Sequence, residues 1–242
     1  MTARNPWLPR LKVGLLAPKG SWSLRAYNPR VRYYTSLHWR THEPNGLAQT
    51  IVNAAALALE PGTEGIACRS PNWVSLYSAR LEEQDLGAMD AFALALPPAS
   101  GVGFMVDDDE SLAVVVYSGG RRVALHLSGE GAQDAFSLHG EVCGPINDLA
   151  GALGLDAGAV TAAVTGGQAS ARVAALAALT GIPQDLAMVG FDDLVDLEED
   201  GELPADFEFL ESLLDEAQPS LGTFFGQPDF EEPDGVGADE ES

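Results

Sequence analysis

Acidic side chains between Asp193 and Ala217 form the group of residues with the clearest chemical character. The stretch, DLVDLEEDGELPADFEFLESLLDEA, contains eleven carboxylates and no basic residue, together with six leucines and two phenylalanines. Carboxylates at this density either bind calcium or attract a positively charged partner. A segment that only kept the protein in solution would not need so many apolar residues, so we expect it to pack against a surface as well.

Part of this segment matches the calcium-binding EF-hand pattern. Asp196, Glu198 and Asp200 stand at the first, third and fifth positions of such a loop. Gly201 follows at the sixth position, where the loop turns sharply, but Phe207 stands at the twelfth in place of the bidentate glutamate. Calcium requires about six to eight oxygen ligands, so the pattern predicts an acidic loop without specific calcium binding. We predict no metal site and no cofactor.

Residues 206–217 are predicted to form an amphipathic helix, with Asp206 as its N-cap. Helical spacing places large apolar side chains on one face and carboxylates on the other. The candidate partner-binding residues are Phe207, Leu210, Leu214, Glu208, Glu211 and Asp215. Two alternatives stay open: the helix packs on its own domain, or it enters a groove on a basic protein partner.

Basic and aromatic residues alternate between residues 21 and 40, on two strand-like runs separated by Asn28-Pro29. Such a surface can stack nucleobases and hold phosphates. The candidate nucleic-acid-binding residues are Arg25, Arg30, Arg32, Tyr33, Trp39 and Arg40. The alternative is that the aromatic side chains fill a core while the arginines face water. If this surface does bind nucleic acid, the acidic arm could regulate it by competing in cis.

Signs of catalysis are few. His139 precedes Cys143 by four residues, with Glu141 between them, and a Cys–His pair can generate a nucleophilic thiolate. The chain has no nucleophile elbow, phosphate-binding loop, dinucleotide-binding glycine pattern or zinc-ligand spacing. We expect Cys143, His38 and His126 to be structural and predict no catalytic residue. An enzyme of unrecognised type stays open as a further alternative.

The pattern of strands and helices predicts an α+β fold. The runs GVGFMV, SLAVVVYS and RRVALHLS form an antiparallel meander, with a tight turn at Ser118-Gly119-Gly120. Helices interrupt the strands without alternating regularly with them, which argues against a doubly wound sheet. The predicted organisation is an α+β domain over residues 1–142, a helical region packed on it over residues 143–192, and an acidic, largely disordered arm over residues 193–242.

The helical region, PINDLAGALGLDAGAVTAAVTGGQASARVAALAALTGIPQDLAMV, resembles the Cro/repressor-type helix-turn-helix family over about forty of the 242 residues. Leu149, Gly154 and Val160 stand where that family has its core and turn positions. Gly154 and Gly181 are also predicted to end two successive helices, because a helix C-terminus needs a residue that tolerates positive φ. The resemblance implies a DNA-reading second helix, DAGAVTAAVT, and Arg172 as a contact to phosphate. That helix contains no Arg, Lys, Gln or Asn to read bases, so we favour an ordinary helical packing unit.

Charge is distributed very unevenly along the chain. The net charge is −23, yet residues 1–42 carry eight Lys or Arg and no acid, whereas residues 173–242 carry twenty acids and no base. Such asymmetry indicates a charged partner, or one end of the chain folding against the other.

No apolar run reaches the length of a membrane helix, and two cysteines make no disulfide framework. We expect a cytoplasmic, non-enzymatic protein, bacterial by its high Arg-to-Lys ratio, that binds a basic protein partner as a regulator, inhibitor or mimic.

Overall fold

The structure is a computed structural model that describes residues 33–41, 46–60 and 63–211. The strands are β1 (Tyr34–Arg40), β2 (Glu64–Arg69), β3 (Trp73–Ser78), β4 (Ser100–Asp107), β5 (Ser111–Ser118), β6 (Arg121–Ser128) and β7 (Phe207–Glu211). The helices are α1 (Gly46–Ala58), α2 (Ala79–Glu82), α3 (Leu86–Ala95), α4 (Ala132–Ala135), α5 (Ile146–Leu153), α6 (Ala157–Val164), α7 (Ala169–Thr180), α8 (Gln184–Ala187) and α9 (Phe191–Glu199).

The strands of the described residues form one antiparallel sheet in the order β6-β5-β4-β1-β3-β2-β7. β4, β5 and β6 are consecutive neighbours, so the predicted meander and the α+β class are confirmed. Gly119 and Gly120 make the tight turn between β5 and β6 with φ of 61° and 76°, a region that glycine enters without steric cost.

Helices cover both faces of the sheet because its strands carry apolar side chains on both faces. Leu37 and Met105 point to the face that is covered by α1 and α3. Phe104 and Val114 point to the opposite face, where α5, α6 and α7 pack. The packing is close enough that a Cβ at Gly101 would overlap the Trp39 ring. The result is a helix–sheet–helix arrangement with separate apolar clusters on its two faces.

The helices of the helical region end where the sequence predicts. Gly154 closes α5 with a φ of 68°, and Gly181 closes α7 with a φ of 75°. These left-handed residues let the chain leave the helix without a Cβ clash. The Asp156 carboxylate caps the next helix, α6, by accepting the Ala159 N–H at 2.9 Å.

One prediction of secondary structure is wrong over the residues that the structure describes. Phe207–Glu211 forms strand β7, antiparallel to β2, instead of the first turns of an amphipathic helix. Alternation explains the difference: Leu210 is buried in the cluster under α1, whereas its neighbour Phe209 is 40% exposed. Leu214, Asp215 and the rest of the predicted helix lie outside the described residues, as does the predicted disordered end of the arm.

Candidate functional site

The acidic segment is part of the folded body from its beginning. The predicted boundary between residues 192 and 193 falls inside α9, which packs through Phe191 and Leu194 against Ile66 and Tyr77 of the sheet. Tyr77 also donates its hydroxyl to the Leu186 carbonyl at 2.7 Å. Burying side chains such as Phe191 and Leu194 stabilises the fold by roughly 1.5–3 kcal/mol each.

We call the surface formed by α9, the turn over residues 200–206 and β7 the acidic face. It carries nine carboxylates, namely Asp192, Asp193, Asp196, Glu198, Glu199, Asp200, Glu202, Asp206 and Glu208. Leu203 and Phe207 pack against the same apolar cluster as α9, so the three parts of the face belong to one packed unit. No Lys or Arg occurs after Arg172, so every basic side chain near this face must come from an earlier part of the chain or from a partner.

One arginine of the described residues does reach the acidic face. Arg69 on β2 donates to Glu208 on β7 at 2.8 Å and to Gln49 on α1 at 2.8 Å. The side chains of Arg69 and Glu208 are about a third exposed, and such surface pairs contribute about 0–1 kcal/mol. The ion pair therefore fixes the orientation of Glu208 more than it stabilises the sheet.

A buried carboxylate holds the start of the acidic face against the sheet. Glu82 on α2 accepts the Thr35 N–H of β1 at 2.7 Å and the Phe191 N–H of α9 at 2.6 Å. Burial raises the pKa of Glu82 to about 8, and the nearby Asp192 and Asp193 raise it further while the two backbone bonds oppose the rise. A Cβ at residue 190 would overlap the Glu82 carboxylate, so Gly190 is required there. Sequence reasoning missed Glu82, which no motif distinguishes from its neighbours.

The residues of the nucleic-acid alternative are not brought together within the described residues. Trp39 is fully buried and donates its indole N–H to the Pro97 carbonyl at 2.9 Å, so it cannot stack on a nucleobase. Arg40 lies over the Trp73 ring, 5.8 Å from its centroid, and Tyr33 is 51% exposed. Arg25, Arg30 and Arg32 lie outside the described residues.

The helix-turn-helix resemblance gives the right helices but not a DNA-reading surface. The Thr161 hydroxyl donates to the Ala157 carbonyl and the Thr165 hydroxyl to the Thr161 carbonyl, each at 2.7 Å. Arg172 is buried and donates to the Ser128 hydroxyl at 2.8 Å and to the Glu110 carbonyl. Arg172, which the resemblance assigns to phosphate, is thus engaged within the protein, and these helices pack on the sheet.

A pocket of about 530 Å³ lies beside the N-terminus of α7, and its lining includes Asp109, Glu110, Glu130 and Arg172. The first two N–H groups of α7 are already taken, because the Ala169 N–H donates to the Asp109 carbonyl at 2.7 Å and the Ser170 N–H to its carboxylate at 2.6 Å. The acidic turn at residues 107–110 therefore caps a helix, beyond the solubility role that its composition indicates.

The histidines and cysteines form no catalytic pair in the described part of the chain. His139 lies 3.7 Å from Asp134, and no hydrogen bond joins it to Cys143. Cys143 is exposed, but partial burial of its thiol and the nearby Glu141 raise the pKa of that thiol, which disfavours a thiolate. His38 is buried between Ser75 and Ser36, at 2.8 and 3.0 Å, and burial lowers its pKa to about 3. That histidine is therefore neutral and structural.

The protonated nitrogen of His38 follows from its neighbours. Ser36 donates its hydroxyl hydrogen to the Ala187 carbonyl at 3.3 Å, so towards His38 it can only accept. Nε2 of His38 must then carry the proton, and Nδ1 accepts from the Ser75 hydroxyl. Each polar atom of the trio has a partner, which a buried polar group requires.

The partial EF-hand match does not form a calcium loop. Asp196 and Glu198 lie on α9, and only Gly201, with a φ of 71°, has the backbone conformation of a sharp turn. Within residues 33–41, 46–60 and 63–211, no group of three or more His, Cys, Asp or Glu side chains is arranged to hold a metal ion.

Comparisons with known proteins add no family to these observations. No protein-family model matches the chain, and neither the curated proteins nor the solved structures give a match. None of the described helices is both long and apolar enough to cross a membrane.

Proposed function

We propose that this protein binds a basic protein partner through its acidic face and has a regulatory rather than a catalytic role. The observation that supports the proposal most strongly is the density of carboxylates on one packed unit. Between residues 192 and 208 the face carries nine of them and no basic residue. A surface of one sign attracts and orients an oppositely charged partner and accelerates its association.

The way the face is held favours binding over simple solubility. Phe191 and Leu194 anchor α9 to the sheet, Leu210 anchors β7, and Glu82 fastens the N-terminus of α9. An acidic segment that only kept the protein in solution would need no such anchors. Because the backbone under the carboxylates is already ordered, a partner would not bear the entropic cost of ordering it.

Neutralising carboxylates on the face tests the proposal. We expect Glu198→Gln with Glu199→Gln to weaken binding of a fluorescently labelled lysine-rich peptide, measured by anisotropy. Binding should also weaken as salt is raised past about 0.1 M, where the screening length falls to about 10 Å. The matched control is Glu60→Gln with Glu130→Gln, which removes the same charge from exposed positions elsewhere. Equal losses in both variants would show a general charge effect and contradict a specific face.

A second titration separates the proposal from the nucleic-acid alternative. If residues 21–40 bind nucleic acid, the protein should bind labelled single-stranded DNA, and Arg30→Ala with Arg32→Ala should abolish that binding. We expect no such binding at moderate salt, since the acidic face repels phosphate. Tight, arginine-dependent DNA binding would overturn the proposed function.

A further inference from the structure

We propose that the outer edge of β7, called the free edge here because no described strand pairs with it, pairs with an extended basic segment of the partner protein, which adds to the sheet as a further strand. The inference rests on the proposed function and names the mode by which the acidic face would engage its partner. Extended peptides often bind by pairing with an exposed sheet edge: main-chain hydrogen bonds supply affinity, and alternate side chains supply specificity.

The hairpin between β2 and β3 shows which backbone groups face the free edge. Ser70 and Trp73 exchange both of their backbone hydrogen bonds, at 2.8 and 3.4 Å, so the Ser70 groups point toward β3. Backbone direction alternates along a strand, and therefore Ala67 points the other way, toward β7. Its partner across that ladder is Glu208. By the same alternation, the N–H and C=O of Phe209 point away from β2.

A second, independent contact gives the same result. The Phe207 N–H donates to the Pro204 carbonyl at 3.1 Å, outside the β2 ladder. Phe209 lies two residues further along the strand, so its N–H and C=O share that outward direction. Among the described residues, no strand pairs with β7 on this side. Phe209 thus offers one donor and one acceptor to an incoming strand.

The side chains along this edge define the segment that fits. Phe209 is 40% exposed, and Phe207 on the same face packs against the cluster that contains Ile66. An apolar residue opposite Phe209 would extend that apolar surface. The adjacent residue of the incoming strand would lie opposite Glu208, where a Lys or Arg gives a favourable cross-strand pair. The geometry points to a segment in which apolar and basic residues alternate.

Charge opposes pairing of β7 with a second copy of itself. Two such edges would bring Glu208 and Asp206 of one chain close to the same residues of the other, and like charges across strands are destabilising. A short edge strand with charged side chains is a common protection against self-association. The same carboxylates that repel a copy of this chain attract a basic strand.

Two matched peptides test the inference on the full-length protein. One is a short labelled peptide of alternating lysine and phenylalanine. The other has the same sequence but carries backbone N-methyl groups on the residues that would pair with Phe209, which keeps the charge and removes the donors. We expect the N-methylated peptide to bind about tenfold or more weakly, as follows from losing main-chain hydrogen bonds.

Two variants of Phe209 test the contribution of the protein's own donor, the backbone N–H of that residue. Phe209→Pro removes the outward N–H, and an edge strand tolerates proline where that N–H makes no bond in the ladder. Phe209→Ala removes the ring and keeps the N–H. We expect the proline variant to bind more weakly than the alanine variant. If the proline variant does not fold, the two peptides still decide the matter on the wild-type chain.

Each outcome has a distinct meaning. No binding of either peptide would overturn the proposed function together with this inference. Equal binding of both peptides would leave the basic partner in place but overturn strand addition. A dimer in sedimentation that the unmethylated peptide dissociates would show that the edge belongs to a second copy, and would overturn the basic partner as its occupant.

Discussion

Glu82 and Phe191 are 109 residues apart in the chain, yet the Phe191 N–H donates to the Glu82 carboxylate at 2.6 Å. The second oxygen of that carboxylate accepts the Thr35 N–H, so a single side chain joins α2, β1 and the first residue of α9. α9 begins the acidic face, and Glu82 therefore couples the stability of that face to the sheet. Its titration is the most accessible property by which this coupling can be measured.

Titration of Glu82 should lower the stability of the protein as pH rises from about 4.5 to about 8. Glu82 has a pKa of about 8 in the folded protein, raised from 4.5 mainly by burial, so the folded state keeps a proton that the unfolded state loses. The free energy of unfolding contributed by this group is fully present below the unfolded pKa and is lost as pH rises through the folded one. The slope is at most about 1.4 kcal/mol per pH unit.

Glu82→Gln should remove this dependence, since glutamine does not titrate. The variant should also be less stable throughout, because one amide oxygen cannot accept both N–H groups and the amide NH₂ faces a donor. Urea unfolding at several pH values measures both effects. Glu83→Gln is the control, because Glu83 is the adjacent residue with a 58% exposed side chain. A parallel pH dependence in wild type and Glu82→Gln would exclude Glu82 as its source.

His38 should act in the opposite direction between about pH 3 and 6.5, so the two effects offset each other between about pH 4.5 and 6.5, and a net fall from Glu82 is expected above about pH 6.5. Its pKa is lowered from 6.5 to about 3 by burial, so the unfolded state takes up a proton that the folded state refuses. The stability that this group contributes is present above about pH 6.5 and is lost as pH falls toward 3.

His38→Gln should remove this loss of stability at low pH. It should also lower the free energy of unfolding by about 1–3 kcal/mol at neutral pH, since the bonds to Ser36 and Ser75 would not both be kept. Thermal unfolding between pH 3 and 7 would measure the change. His139→Gln serves as the control because the His139 side chain is 70% exposed. The same loss of stability at low pH in His38→Gln as in wild type would exclude His38 as its source.

The sequence predicted those parts of the fold whose signals are local. The meander follows from alternating apolar residues and the Ser118-Gly119-Gly120 turn, and the ends of α5 and α7 follow from Gly154 and Gly181. The stretch FEFLE fits a helix as well as a strand, because Phe207 and Leu210 have a helical spacing while Phe207 and Phe209 have the alternation of a strand. The pairing with β2, from residues far earlier in the chain, decides between them.

The candidate site was predictable only in part. The density of carboxylates marks the acidic face in the sequence, but its anchoring does not appear there. Glu82 resembles the adjacent Glu83, and the atoms it contacts belong to Thr35 and Phe191, 47 and 109 residues away. Trp39 is a second case: the alternation of basic and aromatic residues around it fits either a nucleic-acid surface or a core, and the fold buries it completely. In both cases tertiary contacts, absent from local patterns, decide the role.

Substitutions of Asp109 should separate its two contributions. The residue caps α7, and it adopts a φ of 58°, where Asn, Asp and Gly are favoured. Asp109→Asn should be nearly neutral. Asp109→Gly loses the cap but relieves the backbone, whereas Asp109→Ala loses the cap and keeps the strain, so Ala should cost about 1–2 kcal/mol and more than Gly. Chemical unfolding gives the order. Equal stability of the Ala variant and wild type would contradict both contributions.

Leu210 and Phe209 distinguish strand from helix at the acidic face. A helix would put Phe207 and Leu210 on one buried face, whereas strand β7 buries Leu210 and leaves Phe209 40% exposed. We expect Leu210→Ala to cost about 2–5 kcal/mol of stability, because it opens a cavity in the cluster under α1. Phe209→Ala should change stability by less than about 1 kcal/mol but weaken binding of the lysine-phenylalanine peptide.

Urea unfolding and peptide anisotropy on the same two variants give both readouts. The pair is internally matched, since adjacent residues of one strand are truncated to the same side chain. A large stability loss in Phe209→Ala together with a small one in Leu210→Ala would mean that the strand is shifted in register by one residue, because such a shift exchanges the two faces of β7. The donor and acceptor at the free edge would then belong to Leu210, and the partner strand would have to pair there instead.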